Sequence, residues 1–260
     1  MTRNRLKQRA RAGEPILGAW VFSGSPAICE IYALAGYDMV LIDAEHTPID
    51  MAETLACVRA VEAGGGDAMV RVPSHDYGMF KRMLDAGIHS LMVPMIDTVE
   101  QAKTIISSCL YPPHGRRGYA ASVARSGLYG FDEDYIQTAH EDTFLALQVE
   151  SDLSSRNAAA IAALPGADCL FIGANDLAGS MGKLGQVSDP EVLASVDRAA
   201  ASTLAAGKVL GTIPIPGRDA STLAAMGYGI VVGECDIATI KAGALADIAQ
   251  HKAKFPGRRR

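Results

Sequence analysis

Residues 40–50, VLIDAEHTPID, decide how the rest of the chain is read. Val40, Leu41 and Ile42 form an unbroken apolar run, and Asp43, Glu45 and His46 follow at once. A short continuous run rich in β-branched residues fits a parallel strand buried on both faces. Two carboxylates and an imidazole then stand where that strand leaves the core. Either they begin a polar loop, or they form an active site at the end of a buried strand.

Working outward, seven further apolar runs share the character of MVLID (39–43). They are ILGAWVFS (16–23), AMVRV (68–72), SLMVPMI (90–96), TFLALQVE (143–150), CLFIG (169–173), VLGTIPI (209–215) and IVVGECD (230–236). Amphipathic segments such as PAICEIYALAGY, DMAETLACVRAVEAGG and DPEVLASVDRAAASTLAAGK lie between them. Several close on glycine, at Gly36, Gly64, Gly87, Gly207 and Gly227, the residue that takes positive φ at a helix end without a Cβ clash. Eight strands alternating with eight helices predict an α/β fold, a (β/α)8 TIM barrel, as one domain over 1–260. A doubly wound open sheet is the alternative. No G-x-G-x-x-G follows the first strand, and AGSMGKLG lacks P-loop spacing because Leu177 stands where the first glycine is needed.

The 260 residues are 49% hydrophobic and 20% charged, enough to bury a sizeable core, and the net charge is −5. Basic residues concentrate at the ends, in TRNRLKQRAR and GRRR, which read as solvated tails and not as a nucleic-acid footprint. The start has no apolar signal region, and no run approaches the ~18 apolar residues of a membrane span. Neither nucleic acid nor membrane is therefore expected as a partner. Cys29, Cys57, Cys109, Cys169 and Cys235 form no C-x-x-C pair and read as buried thiols of a reducing cytoplasm. Met92 and Met95 read as core filler. The long stretch 111–142, with YPPHGRRGYAASVARSG, is expected to be functional.

In such a barrel the C-terminal strand ends line the active-site mouth. The second strand ends in Asp43-Ala44-Glu45-His46, the third carries Arg71, the fifth ends in Gln148 and Glu150, and Asp176 follows the sixth. Each has a plain reading: Glu150 and Asp176 at helix starts, Arg71 as the partner of a rim carboxylate, His46 as structural. Their joint placement at one end of four strands, with plainer N-terminal ends, points to catalysis. Two carboxylates from neighbouring strands suit Mg²⁺ or Mn²⁺ with open positions for a chelating 2-oxo acid. An arginine opposite can stabilise an enolate, and a histidine with an ordinary pKa of ~6.5 can move a proton. The chemistry is enolisation of a 2-oxo acid.

The segments GAWVFSGSPAICEIYALAGYDMVLIDAEHTPID, AMVRVPSHD, KRMLDAGIHSLMVPMIDTVEQAK, YPPHGRRGYA, LALQVES and CLFIGANDLAGSMG resemble the HpcH/HpaI group of metal-dependent (class II) pyruvate aldolases. The combination of D-x-E-H, Y-P-P-x-G-x-R-G, Q-x-E and I-G-x-x-D-L carries the likeness. The resemblance implies reversible cleavage of a 4-hydroxy-2-oxo acid to pyruvate, or a related 2-oxo acid such as hydroxypyruvate, and an aldehyde. It implies Glu150 and Asp176 as ligands of Mg²⁺, Mn²⁺ or Co²⁺, Arg71 on the substrate keto oxygen, and His46 as general base. Asp43 and Asp85 would orient that histidine or its water network. Gln148 would face the substrate, backbone N–H groups of Ala174 and Asn175 would hold its carboxylate, and Arg125 would help to bind the aldehyde. The group's I-G-P-x-D-L-S is here altered to Ala174, Asn175 and Ala178, which bears on donor preference. A homo-hexamer, a trimer of dimers that exchange the last helix (ATIKAGALADIAQHKAKF), is also implied. A CoA-thioester lyase of the citrate-lyase type and a non-catalytic metal/oxo-acid-binding barrel stand as alternatives. Glu45 receives no metal role.

Overall fold

The computed structural model describes residues 4–252. A short helix, α1 (Arg5–Arg11), precedes β1 (Ile16–Val21), which leads to α2 (Pro26–Leu34). Then follow β2 (Met39–Asp43), α3 (Met51–Ala63), β3 (Asp67–Arg71), α4 (Tyr77–Asp85), β4 (Ser90–Val93) and α5 (Val99–Cys109). A long connection holds a 3-10 segment (Arg125–Gly130) and α6 (Tyr135–Asp142) before β5 (Phe144–Val149) and α7 (Asp152–Ala162). The chain continues through β6 (Cys169–Ile172), α8 (Ala174–Ser180), α9 (Pro190–Ala205), β7 (Val209–Thr212) and α10 (Ala220–Ala225). It then reaches β8 (Ile230–Cys235) and α11 (Asp236–His251). All eight apolar runs are strands, and they close in sequence order into one parallel barrel. Among the described residues no helix is long and apolar enough to cross a membrane.

Helix starts are fixed locally. Asp50 and Glu53 form a capping box at α3, and Thr98 and Gln101 form another at α5. At the helix ends Gly36, Gly87, Gly207 and Gly227 take positive φ as expected. Gly64 does not: its φ is −74°, and Gly65 takes the left-handed turn at +82°. Gly64 serves packing instead, since a Cβ there would lie 2.7 Å from that of Ala33 on α2.

The period-two alternation of the strands divides the core. Met39, Leu41, Met69, Met92, Phe144, Ala146, Cys169 and Phe171 fill the barrel. Val40, Ile42, Val70, Leu91, Leu147 and Leu170 face the helices. Asp43, Arg71 and Gln148 continue the inward series of β2, β3 and β5, so strand parity alone aims them at the barrel axis.

The N-terminal segment corrects the reading of a solvated tail. Leu6 and Ala10 join the barrel interior, and Lys7 is buried. Lys7 donates to the Thr143 carbonyl and pairs with Asp168 at 3.1 Å. Arg5 pairs with Asp67 at 3.0 Å and Arg9 with Asp38 at 2.7 Å, while the Asn4 amide donates to Ser90 Oγ at 2.9 Å. The strand starts are therefore not plain; α1 is a charged, fitted floor. Residues 257–260, GRRR, lie outside the described residues.

Candidate active site

The opposite end opens into a cavity of about 570 Å³ lined by His46, Arg71, Gln148, Glu150, Asn175 and Asp176, among others. Asp43 organises one side. It is fully buried, and its Oδ2 accepts from the Arg71 guanidinium, with Nε at 2.7 Å, and from Trp20 Nε1 at 2.9 Å. Its Oδ1 accepts the backbone N–H groups of Glu45 (3.0 Å) and His46 (2.7 Å). Asp43 thus positions His46 through the main chain. The imidazole is 63% exposed, with Nε2 3.8 Å from Glu45 Oε2. Glu45 Oε2 also lies 3.1 Å from Arg71 Nε, yet no hydrogen bond satisfies that buried oxygen. Burial pushes the Glu45 carboxyl up, against the pull of Arg71 and His46. Arg71 in turn stacks on Trp20, 4.5 Å from the ring centre.

Glu150 organises the other side. Gln148 Nε2 donates to its Oε1 at 2.7 Å, and the Met95 N–H donates to its Oε2 at 2.8 Å. Burial is the main cause that raises its pKa to about 7; the Met95 N–H opposes this, and the charges of Asp176 and Glu45 add to it. Gly173 must lack a side chain, because a Cβ there would lie 2.6 Å from Glu150 Oε1. Met95 is not core filler. It is 44% exposed and holds φ +53°, a left-handed conformation rare for such a residue, and in it the N–H reaches the carboxylate. Met92 does fill the core.

At the start of α8 the first backbone donor returned into the helix is Leu177 N–H, to the Gly173 carbonyl at 3.0 Å. The N–H groups of Ala174 and Asn175 precede it and have no carbonyl of their own helix, which suits them to an anion. Asp85 and Arg125 are not brought to the mouth. Asp85 ends α4 and pairs with Arg117 at 2.6 Å; Arg125 holds Glu62 at 2.5 Å and the Ala86 carbonyl at 3.2 Å. Both lie where helices return to the strand starts; the long connection 111–142 runs beside them and up along α4, where Tyr77 Oη donates to the Arg116 carbonyl at 2.9 Å and accepts the Gly118 N–H at 3.0 Å. Trp20, Met95 and Glu234 are cavity or support residues that the strand-end pattern did not pick out. The first two were hidden within apolar runs, and Gly233 beside Glu234 was the available sign of a distorted strand.

The donor set suits one kind of divalent ion and not another. Among the described residues no group of three or more His, Cys, Asp or Glu side chains is placed to enclose a metal, so a closed zinc-type centre is not built here. Mg²⁺-like ions need only one or two carboxylates and keep the other positions for water and substrate. Glu150 and Asp176 fit that requirement, and among the described residues no ion pair neutralises the buried Glu150 carboxylate. The Oε1 of Gln148, buried without a hydrogen bond, adds an unmet acceptor at the same place.

Residues 17–240 match the family described as HpcH/HpaI aldolase/citrate lyase. A hydroxypyruvate/pyruvate aldolase of Delftia acidovorans is 37% identical over 96% of this chain and 93% of its own. A 5-keto-4-deoxy-D-glucarate aldolase of Salmonella arizonae is 33% identical over 92% of this chain and 93% of its own. The crystal structure of an HpcH/HpaI aldolase/citrate lyase family protein from Burkholderia cenocepacia superposes with a TM-score of 0.89 at 35% identity, covering 95% of this chain and 98% of that one. With the barrel, the mouth and these relatives in agreement, the chain belongs to the HpcH/HpaI aldolase/citrate lyase family.

Proposed function

We propose that the protein is a carbon–carbon lyase, a class II pyruvate aldolase. It reversibly splits 4-hydroxy-2-oxo acids into pyruvate, or hydroxypyruvate, and an aldehyde. The observation that carries this is the buried Glu150 carboxylate, with its pKa raised to about 7, in one cavity with Asp176, Arg71 and His46. Glu150 and Asp176 would hold Mg²⁺, Mn²⁺ or Co²⁺, which when bound supplies Lewis acidity toward the substrate's carboxylate and keto oxygens. Arg71 donates to the keto oxygen and stabilises the charge that develops there as the enolate forms. Asp43 and Trp20 hold that guanidinium in place, so it need not reorganise. His46 takes the proton from the C4 hydroxyl as the C3–C4 bond breaks and returns it to C3 of the enolate; the reverse of that last transfer exchanges the methyl protons of pyruvate. The Ala174 and Asn175 N–H groups bind the carboxylate, and Gln148 steadies Glu150 beside it.

Asp85 and Arg125 can join this chemistry only from a neighbouring subunit. A hexamer of dimers that exchange the last helix is the assembly we infer. Support comes from α11, whose Ile237, Ile240, Leu245 and Ile248 are exposed, and from Ile31 and Leu34 of α2, exposed likewise. The end of that helix, residues 253–255, lies outside the described residues. Free cysteines, four of them buried, support a cytoplasmic setting. A thioester lyase would need cations at the mouth for CoA phosphates. Arg116 and Arg117 are instead tied to Ser108 and Asp85 near the strand starts.

Solvent deuterium exchange into the pyruvate methyl group, followed by NMR, tests the reading. Exchange should stop on treatment with EDTA and return with Mg²⁺, Mn²⁺ or Co²⁺, and borohydride should trap no pyruvate adduct. Exchange that survives EDTA, or inactivation by borohydride with pyruvate, would sink the metal mechanism.

A further inference from the structure

The β8 strand carries one residue more than its neighbour β1 at the rim of the cavity. Gly18 pairs with Val232 and Trp20 with Cys235, so Ala19 alone stands opposite both Gly233 and Glu234. This is a β-bulge, a device that re-aims side chains and often borders active sites. In a regular ladder residue 234 would face Trp20 and share its inward direction. Here Cys235 takes that place, packs beside the barrel interior and caps α11 through Sγ, 3.4 Å from the Ala238 N–H. Glu234 is exposed and lines the same cavity as Phe22 and Ala238.

Its surroundings set that carboxylate apart from the others at the mouth except Asp176, which the metal of the aldolase reading would engage. Asp43 and Glu45 lie against Arg71, and Glu150 is bonded by Met95 and Gln148. Glu234 has no hydrogen bond or ion pair among the described residues. Arg71 is the sole permanent cation among the described residues lining the cavity, and Asp43 and Glu45 already engage it. From the described residues of its own subunit, a second substrate entering past the 2-oxo acid therefore meets a free negative charge and no free positive one.

We propose that Glu234 sets the acceptor class, admitting uncharged hydroxylated aldehydes and excluding semialdehydes that carry a carboxylate. The hydroxyl groups of such an aldehyde can donate to Glu234, whereas a second carboxylate would be repelled by it. This inference rests on the aldolase reading above and deepens it.

The test compares kcat/KM for DL-glyceraldehyde and for succinic semialdehyde, each with pyruvate and saturating Mn²⁺. The unaltered enzyme should prefer glyceraldehyde by about tenfold or more, a preference that shrinks as salt screens the rim. Glu234→Gln should move the ratio toward the semialdehyde by about tenfold, chiefly through KM, and Glu234→Lys should move it further. Equal use of both aldehydes by the unaltered enzyme, or equal effects of both substitutions on the two aldehydes, would overturn the proposal. Deuterium exchange into pyruvate by the unaltered enzyme, with no aldehyde present, keeps the two readings apart. Exchange with an unmoved ratio overturns the role of Glu234 alone; absence of exchange overturns the aldolase reading beneath it.

Discussion

At the floor of the barrel Asp168 is held by Lys7 at 3.1 Å and Arg11 at 3.3 Å, Asp67 by Arg5 at 3.0 Å, and Asp38 by Arg9 at 2.7 Å. At the mouth Glu45, Glu150, Asp176 and Glu234 have, among the described residues lining the cavity, a single permanent cation, Arg71, which Asp43 already engages. Both ends are rich in carboxylates, and β2 and β6 have them at both. The floor spends its charges on one another and on backbone carbonyls, which fixes the fold. The mouth leaves negative charge unmet, which costs stability and creates affinity for a cation and for a substrate that develops charge.

Glu150→Gln should break that contrast most sharply. Removing one carboxylate of the proposed metal pair is expected to lower the exchange and cleavage rates by about 10³-fold or more, the loss of ~4 kcal/mol of charge stabilisation. The fold should respond in the opposite direction. The Glu150 pKa of about 7 stands above the ordinary ~4.3, so the folded state binds the extra proton. The destabilisation is absent below ~pH 4.3, grows through the interval and is complete above about pH 7, where it reaches about 4 kcal/mol. Urea denaturation in EDTA should therefore show the variant gaining on the parent as pH rises from 5 to 8. Added Mn²⁺ should narrow that difference. A variant less stable than its parent at pH 8 would mean that the Met95 and Gln148 contacts outweigh burial.

His46→Ala comes next. Loss of a positioned proton carrier is expected to cost about 10²-fold or more in exchange, with the fold unaltered because the ring is largely exposed. Glu45→Gln in the same assay should cost less, since Glu45 only neighbours that ring and Arg71. Lys7→Met probes the floor. It leaves the Thr143 carbonyl without its donor and weakens the pairing of Asp168, and should cost about 2 kcal/mol in denaturation. The rate per folded molecule should stay unchanged, and a fall in kcat would show that the two ends are not independent.

The sequence made the mouth more legible than the floor, for physical reasons. Buried parallel strands must be continuously apolar, so a polar residue at the end of such a run stands out, and Asp43, Arg71, Gln148 and Glu150 did so. Period two then aims them inward. The eight strands and their closure were legible on the same grounds. The floor was not, because Arg5, Lys7 and Arg9 look like any basic terminus until the aspartates at the starts of β2, β3 and β6 come together beneath them. Asp85 and Arg125 lie in segments that match the family, yet within one chain they fall at the wrong end. Local pattern says nothing about which subunit completes a site. Met95 escaped because its contribution is a backbone N–H, and Glu234 because a bulge interrupts the alternation that would have located it.

The smallest effect should come from Trp20→Phe, where floor-like and mouth-like behaviour meet in one residue. The ring lies over Arg71, 4.5 Å away, and its Nε1 donates to Asp43 at 2.9 Å. Phenylalanine keeps a face for the guanidinium and removes the donor. Asp43 keeps Arg71 and the two backbone N–H groups of Glu45 and His46, so the loss should be about 1 kcal/mol. If Trp20 only positions Arg71, that loss appears as about a fivefold lower kcat with KM for pyruvate nearly constant, because the weakened contact matters when the enolate charge develops. Trp20→Leu, which removes the aromatic face as well, should go further in the same direction. A rise in KM with kcat preserved would instead mean that the indole touches the bound 2-oxo acid, and would move Trp20 from support to substrate binding.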